Sequence, residues 1–185
     1  EIYTPRTLFP YTTLFDLTER IEREVKKYFP DARTLRMDFD TTRKKNSYDY
    51  IYNTFKNGEA DILIGTQMVT KGLDFKNVTL VGVIAADVSL NLPDFRSGER
   101  TFQLITQVGG RAGRGSKKGS VVVQTYSPEN YSIRYSATSD YENFYKEEIG
   151  LRYDMDYPSF SKILAINISS KNENLLIKNK IGRAS

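Results

Sequence analysis

The sequence predicts an α/β fold: a three-layer arrangement in which an open, mostly parallel sheet lies between helices, followed by a partial α+β extension at the C-terminus. Two observations predict it. DILIG, VTLVGVIAAD and SVVV are compact apolar runs with little polar alternation, the pattern of parallel strands covered on both faces. Stretches with apolar residues at helical spacing alternate with them, and strands alternating with helices build right-handed crossovers in one sheet.

The elements follow in order. Residues 1–16 contain two prolines and no clear periodicity, and are read as irregular. TERIEREVKKYF opens a helix at Thr18, with Ile21, Val25 and Phe29 on one face. Its acids lead and its lysines follow, as the helix dipole favours, and Pro30 stops it. RTLRMDFD is a short strand. Asn46 or Ser47 caps a second helix carrying Tyr48, Ile51, Tyr52 and Phe55, which Gly58 ends. DILIGTQ and VTLVGVIAAD are strands, ERTFQLITQVGGR is a helix broken at paired glycines, and GSVVVQTYSP is a further strand. Beyond Pro128 the chain is dense in tyrosine and charge, helical for much of its length, and breaks near Pro158. SKILAINISS is read as one more strand, which needs partners outside the chain. The expected organisation is therefore an unmatched segment 1–16, an α/β lobe 17–127, and a linker with the start of a truncated domain over 128–185.

Composition narrows the chemistry. The 185 residues hold no cysteine and no histidine, which removes disulfides, thiolate or imidazole zinc sites, and Ser-His or Cys-His nucleophile pairs. A reducing, cytoplasmic setting fits. No apolar run approaches the roughly 20 residues that span a bilayer, so no membrane role is expected. The net charge of +4 is compatible with nucleic acid without establishing it.

Three segments can carry chemistry. Gly65-Thr66-Gln67 followed by Lys71-Gly72-Leu73-Asp74-Phe75 sits at the carboxyl end of a strand, where open α/β sheets place ligands. Glycine lets backbone N–H groups approach a phosphate, and Asp74 can accept from a ribose hydroxyl; equally, the segment can be a turn with Asp74 as a cap. It is not a P-loop, because the G-x-x-x-x-G-K-[ST] spacing is absent. DFRSGER (94–100) is a salt-bridged loop or a phosphate contact. Gln107-Val108-Gly109-Gly110-Arg111-Ala112-Gly113-Arg114-Gly115 is sharper: arginines three apart on a glycine-broken helix end can converge on one anion, and guanidinium forks suit phosphate oxygens. A basic loop touching nucleic-acid backbone is the plainer alternative. All three loops are expected on one edge of the sheet.

TQMVTKGLDF followed by QVGGRAGR resembles motifs V and VI of superfamily 2 helicases. DFRSGER between them, with ILIGTQMVTKG, DVSLNLPDFRS, VVVQTYSPEN and YPSFSK, resembles the bacterial replication-restart helicase family, primosomal protein N′. The resemblance covers roughly residues 18–171. It implies a RecA-like second motor lobe, ATP-driven 3′-to-5′ translocation on single-stranded and forked DNA, and primosome and replication-restart partners in the bacterial cytoplasm. It implies that Arg111 and Arg114 reach the triphosphate, with Gln107, Gly110, Gly72 and Asp74 near the nucleotide. Gly65, Thr66, Gln67, Lys71 and Arg96 would contact DNA. ATP is used with Mg2+ whose ligands belong to a first lobe not in this chain. Zinc belongs to the parent family, but this chain offers no site for it. Such a fragment alone would hydrolyse little or no ATP.

The chain departs from the family at Asp16-Leu17, where glycines are expected, and at residues 1–16 and IGRAS, which match nothing in it. Two other readings remain: another superfamily 2 translocase in fork remodelling or repair, or a non-enzymatic nucleic-acid binding module built around GGRAGRGSKKG.

Overall fold

The computed structural model describes residues 2–3, 14–43, 46–70, 75–113 and 118–164. Its elements are β1 (Ile2–Tyr3), α1 (Leu14–Tyr28), β2 (Thr34–Met37), α2 (Ser47–Lys56), β3 (Ile62–Gly65), β4 (Leu80–Val83), α3 (Asp87–Leu90), α4 (Ser97–Gly109), β5 (Ser120–Gln124), α5 (Tyr131–Ala137) and α6 (Tyr141–Asp154). A single 3-10 turn, Gln67–Thr70, follows β3. Every strand pair is parallel, and the α/β architecture is the expected one. The strands fall into two ladders, in the orders β1-β5-β4 and β2-β3, rather than into one continuous sheet.

Two apolar clusters fill the first compact unit, which ends at Glu148. Beside β4 and β5, Ala86, Ile105, Val123 and Ile133 are buried together, with Val83, Leu90 and Val121 against them. Over β2 and β3, Met37 and Ile51 are buried with Leu35, Tyr52, Leu63, Val69 and Phe75 around them. Phe75 meets Phe55 edge-on at 4.8 Å between ring centres, a favoured aromatic geometry. The α2 residues expected on one face do share it, and Asn46 stands at the N-cap position. Its side chain makes no capping bond; Asn46 instead supplies a left-handed turn at φ 69.

Some expectations need correction. α1 begins at Leu14 rather than at Thr18. The buried Thr18 hydroxyl donates to Asp38 Oδ2 at 2.7 Å, a tertiary bond between α1 and the turn beyond β2. Phe29, expected on the buried face, lies one residue past α1 and is 57% exposed. β4 is shorter than the apolar run and is covered on one face only. Val83 packs into the core beside Ile105, whereas Leu80 is 63% exposed. Asp87 ends that run as the first residue of α3, after a left-handed Ala85 at φ 56. SKILAINISS is not a strand over 161–164, and its remaining residues lie outside those described.

Two buried carboxylates tie strand ends to neighbouring elements. Asp87 accepts from Thr125 Oγ1 at 2.9 Å and from the Tyr126 amide at 3.0 Å, fixing the carboxyl end of β5 to α3. Asp38, just past β2, accepts from the Thr41 amide and from Thr18, and Arg36 Nε lies 2.9 Å from its Oδ2. That contact is an ion pair rather than a directed hydrogen bond, since the Arg36 Nε–H finds no aligned acceptor. Burial pushes the Asp38 carboxyl up, but bonds from Thr41 and Thr18 and the Arg36 charge outweigh it and hold the group below its ordinary 3.8.

The second unit begins at Ile149. Within it Arg152 Nη1 donates to the Pro158 carbonyl at 3.3 Å, and Tyr153 meets Phe160 edge-on at 5.2 Å, closing the chain back on the end of α6. No helix among the described residues is long and apolar enough to cross a membrane.

Two outcomes follow from the buried carboxylates. Asp87→Ala leaves the fully buried Thr125 hydroxyl and the Tyr126 amide without their acceptor, and urea unfolding should show a loss of about 3 kcal/mol. For Asp38 the folded pKa is depressed, so the unfolded chain binds the proton first as pH falls. Its stabilisation is complete above about pH 4 and is lost as pH drops through the folded value. Asp38→Asn should therefore be less stable at pH 7, and its urea midpoint should fall less than the parent's between pH 5 and pH 3.

Candidate functional site

Parallel crossovers decide where the sequence-predicted residues sit. In β2–α2–β3 and in β4–α4–β5 the first strand delivers its following loop to the carboxyl end, and the helix carries the chain back to the amino ends. Gly65, Thr66 and Gln67 follow the carboxyl end of β3, and Arg96 follows that of β4 and α3. Arg111 instead follows α4 and precedes β5, at the amino ends of β4 and β5. The Gly113 amide donates to the Val78 carbonyl at 3.0 Å and the Ser120 amide to that of Thr79 at 2.8 Å, pinning this loop beside the start of β4. The expectation that all three loops share one edge is thus overturned, because the third follows a helix, not a strand.

At the carboxyl end of β3, Gly65 pairs in register with Met37 of β2. A Cβ at Gly65 would collide with the Met37 carbonyl oxygen and come within 2.5 Å of Val69 Cγ1, so only glycine lets the ladder close there. The Thr66 carbonyl accepts from the Val69 amide at 3.1 Å, turning the chain sharply, and Gln67 stands exposed at the head of the 3-10 turn. Lys71, Gly72 and Asp74 lie outside the described residues.

Arg96 occupies the N-cap position of α4 and is bound to Asp94 three times. Its amide donates to Asp94 Oδ1 at 2.9 Å, its Nε to the same oxygen at 3.1 Å, and its Nη2 to Oδ2 at 3.1 Å. Arg100 adds a contact of 2.9 Å to Oδ2. Hydrogen bonds from Arg96 and the charge of Arg100 hold the Asp94 carboxyl at about 2. The salt-bridged loop is the form this segment takes, with two guanidinium groups gathered on one carboxylate at the surface.

α4 ends at Gly109, and Gly110 caps it through bonds from its amide to the Thr106 and Val108 carbonyls. The Arg111 amide still reaches the Val108 carbonyl at 2.9 Å, which holds Arg111 half-buried at the helix exit. Gly113 then turns with φ +77, a left-handed conformation suited to glycine, with its Cβ position 2.5 Å from the Gly119 amide. Arg114 lies outside the described residues. An open groove of about 450 Å3 runs along α4, lined by Phe102, Gln103, Thr106 and Gln107. Thr106 Oγ1 is buried there without a hydrogen-bond partner among the described residues, while the Gln107 side chain is exposed. An exposed amide, an orphaned hydroxyl and a guanidinium at one helix end fit a polar, anionic ligand. Among the described residues no cluster of acids is placed to hold a metal ion.

Sequence reasoning missed Phe39 and Arg43, beyond the carboxyl end of β2, where the Arg43 guanidinium lies 4.8 Å over the Phe39 ring. The signal was available in the DFDTTRKK run, where an aromatic precedes three consecutive cations.

Comparison with known proteins places this geometry. The family of the helicase conserved C-terminal domain matches residues 10–116. The chain is 52% identical over 152 residues to the replication restart protein PriA of Bacillus subtilis, covering 82% of this chain and 19% of that protein. It is 44% identical over 170 residues to PriA of Synechocystis, covering 91% and 20%, and 46% identical over 153 residues to PriA of Borreliella burgdorferi, covering 83% and 23%. The chain therefore spans about a fifth of the length of these relatives. By the extent of the family match, the chain belongs to the helicase conserved C-terminal domain family, and its parallel α/β architecture is that of a RecA-like lobe.

Proposed function

We propose that this chain is the second motor lobe of an ATP-dependent 3′-to-5′ DNA helicase acting in replication restart and primosome assembly in the bacterial cytoplasm. Residues 17–127 form the lobe, and 128–185 lead into the next domain. The observation that carries this reading is the helix break at Gly109-Gly110, which delivers Arg111 to the amino ends of β4 and β5, away from the strand-end loops.

The two edges then have separate work. At the amino ends, Gln107, Gly110 and Arg111 meet a nucleotide shared with another lobe, and the motif residues Arg114, Gly72 and Asp74 are read as further contacts to that nucleotide. ATP with Mg2+ supplies the transferable phosphoryl group, and the metal ligands belong to that other lobe. The arginines stay protonated at any working pH, so they neutralise phosphate charge without depending on a proton equilibrium. Their fixed forks orient the oxygens, and phosphoryl transfer needs positioning and charge neutralisation above all. At the carboxyl ends, Gly65, Thr66, Gln67 and Arg96 take single-stranded or forked DNA, and Lys71 of the same motif is read as a further contact to it. Backbone amides at a glycine turn suit phosphate oxygens, which fixes register without reading sequence. α4 spans the distance between the edges, so lobe closure at one end moves the loop at the other. Primosome and replication-restart proteins are the partners this role requires.

In the full-length protein, Arg114→Ala and Arg111→Ala should each lower DNA-stimulated ATP hydrolysis strongly, with about 10³-fold or more at the arginine that meets the transferring phosphate. DNA affinity should stay within about two-fold, since in this reading these arginines meet the nucleotide and neutralise no DNA phosphate. Steady-state hydrolysis and DNA titration on the same preparations read both. Unchanged hydrolysis with weakened DNA binding would make GGRAGRG a nucleic-acid loop instead.

A further inference from the structure

Phe39 and Arg43 stand on the turn immediately beyond β2. The ladder places Met37 of β2 opposite Gly65 of β3, so this turn and the Gly65-Thr66-Gln67 loop leave the same ladder end side by side. The turn is built firmly. The Asp38 amide donates to Thr41 Oγ1 at 2.9 Å, and the Thr41 amide donates back to Asp38 Oδ1 at 2.9 Å. Thr42 adds its amide at 3.1 Å and its hydroxyl at 2.6 Å to the Asp38 carbonyl. Asp38 is itself buried and anchored to Thr18 of α1. The acid faces inward, and the ring that follows it is left outward, 58% exposed.

A large aromatic left outward on a rigid turn loses apolar burial, and nothing in the first unit's two cores uses it. The Arg43 guanidinium lies 4.8 Å over one side of the ring, and its pairing with Asp40 is loose, 3.6 Å between two exposed side chains. Such an ion pair in water contributes little, so it does not explain the arrangement. A flat ring with a cation beside it, on an edge read as facing DNA, has the chemistry of a single-strand platform. The base stacks on the π-face, and the guanidinium meets the adjoining phosphate. Sequence continues the cation run through Lys44 and Lys45, which lie outside the described residues.

We propose that Phe39 and Arg43 form a base-stacking site for single-stranded DNA beside the Gly65-Thr66-Gln67 loop. This rests on the reading that the carboxyl ends face DNA. It adds a contact to the base itself, where the β3 loop offers only backbone contacts. Because stacking accepts any base, the site adds affinity without sequence preference.

The test uses the full-length protein and two probes, an oligothymidylate and an abasic oligonucleotide of the same length, with affinity read by fluorescence anisotropy. Phe39→Ala should weaken oligothymidylate binding by about five-fold or more, the low end of the effect of losing one stacked base. Its abasic binding should be unchanged, and Phe39→Trp should restore the oligothymidylate affinity. Arg43→Ala should weaken both probes and flatten the salt dependence. Equal loss on both probes for Phe39→Ala, or no loss on either, overturns the stacking site. Gln67→Ala separates the two levels. If it weakens both probes while Phe39→Ala does nothing, only the stacking site fails. If neither variant changes either probe, the reading of this edge fails with it.

Discussion

The geometry of parallel crossovers governs everything that this lobe can do. A parallel strand cannot return to its neighbour by a hairpin, so a helix that joins two paired strands must carry the chain from the carboxyl end back to the amino end. α4 does this over Ser97–Gly109, and its two ends therefore face opposite sides of the β4–β5 ladder. The Arg96–Asp94–Arg100 cluster opens it, and the glycine break with Arg111 closes it. One helix thus places two arginine-bearing loops at opposite ends of the β4–β5 ladder.

For such a helix to transmit motion, its ends must be held to the ladder. The buried apolar contacts of Phe102, Ile105 and Val108 hold its body, with the Phe102 ring stacked on Phe144 at 4.1 Å. Polar ties secure the strand ends around it. Asp87 joins β5 to α3, and the Gly113 and Ser120 amides fasten the Arg111 loop to the residues before β4. Tyr131 Oη donates to the buried Glu148 at 2.6 Å directly beside Gly98, whose missing side chain makes room for that bond at the other end of the helix. Burial and the Glu148 carboxylate both disfavour the tyrosinate and push the Tyr131 hydroxyl up, so it stays a donor.

Much of this was legible in the residues, and the failures share a cause. The apolar runs at Ile62–Gly65, Leu80–Val83 and Ser120–Gln124 are strands, and the double glycine does end α4, because period and backbone freedom are local properties. The tie from Thr18 to Asp38, twenty residues away, is not written in local pattern, because it joins α1 to the turn beyond β2. The exposure of Leu80 and Phe29 was likewise invisible, since pattern states that a residue is apolar and not which neighbour covers it. The shared edge was a different kind of error. It counted loops without asking whether a strand or a helix precedes each one, and the alternation already written in the sequence answers that.

The central claim is that nucleic acid meets the carboxyl ends of the strands and not the loop that carries Arg111. Photocrosslinking full-length protein to single-stranded DNA bearing 5-iodouracil, followed by mapping of the crosslinked peptides, tests it most directly. The account predicts crosslinks in the peptides containing Phe39 and Gln67, and none in the peptide containing Gln107 to Arg111. Crosslinks concentrated in that last peptide would contradict it, and would return GGRAGRG to a nucleic-acid loop.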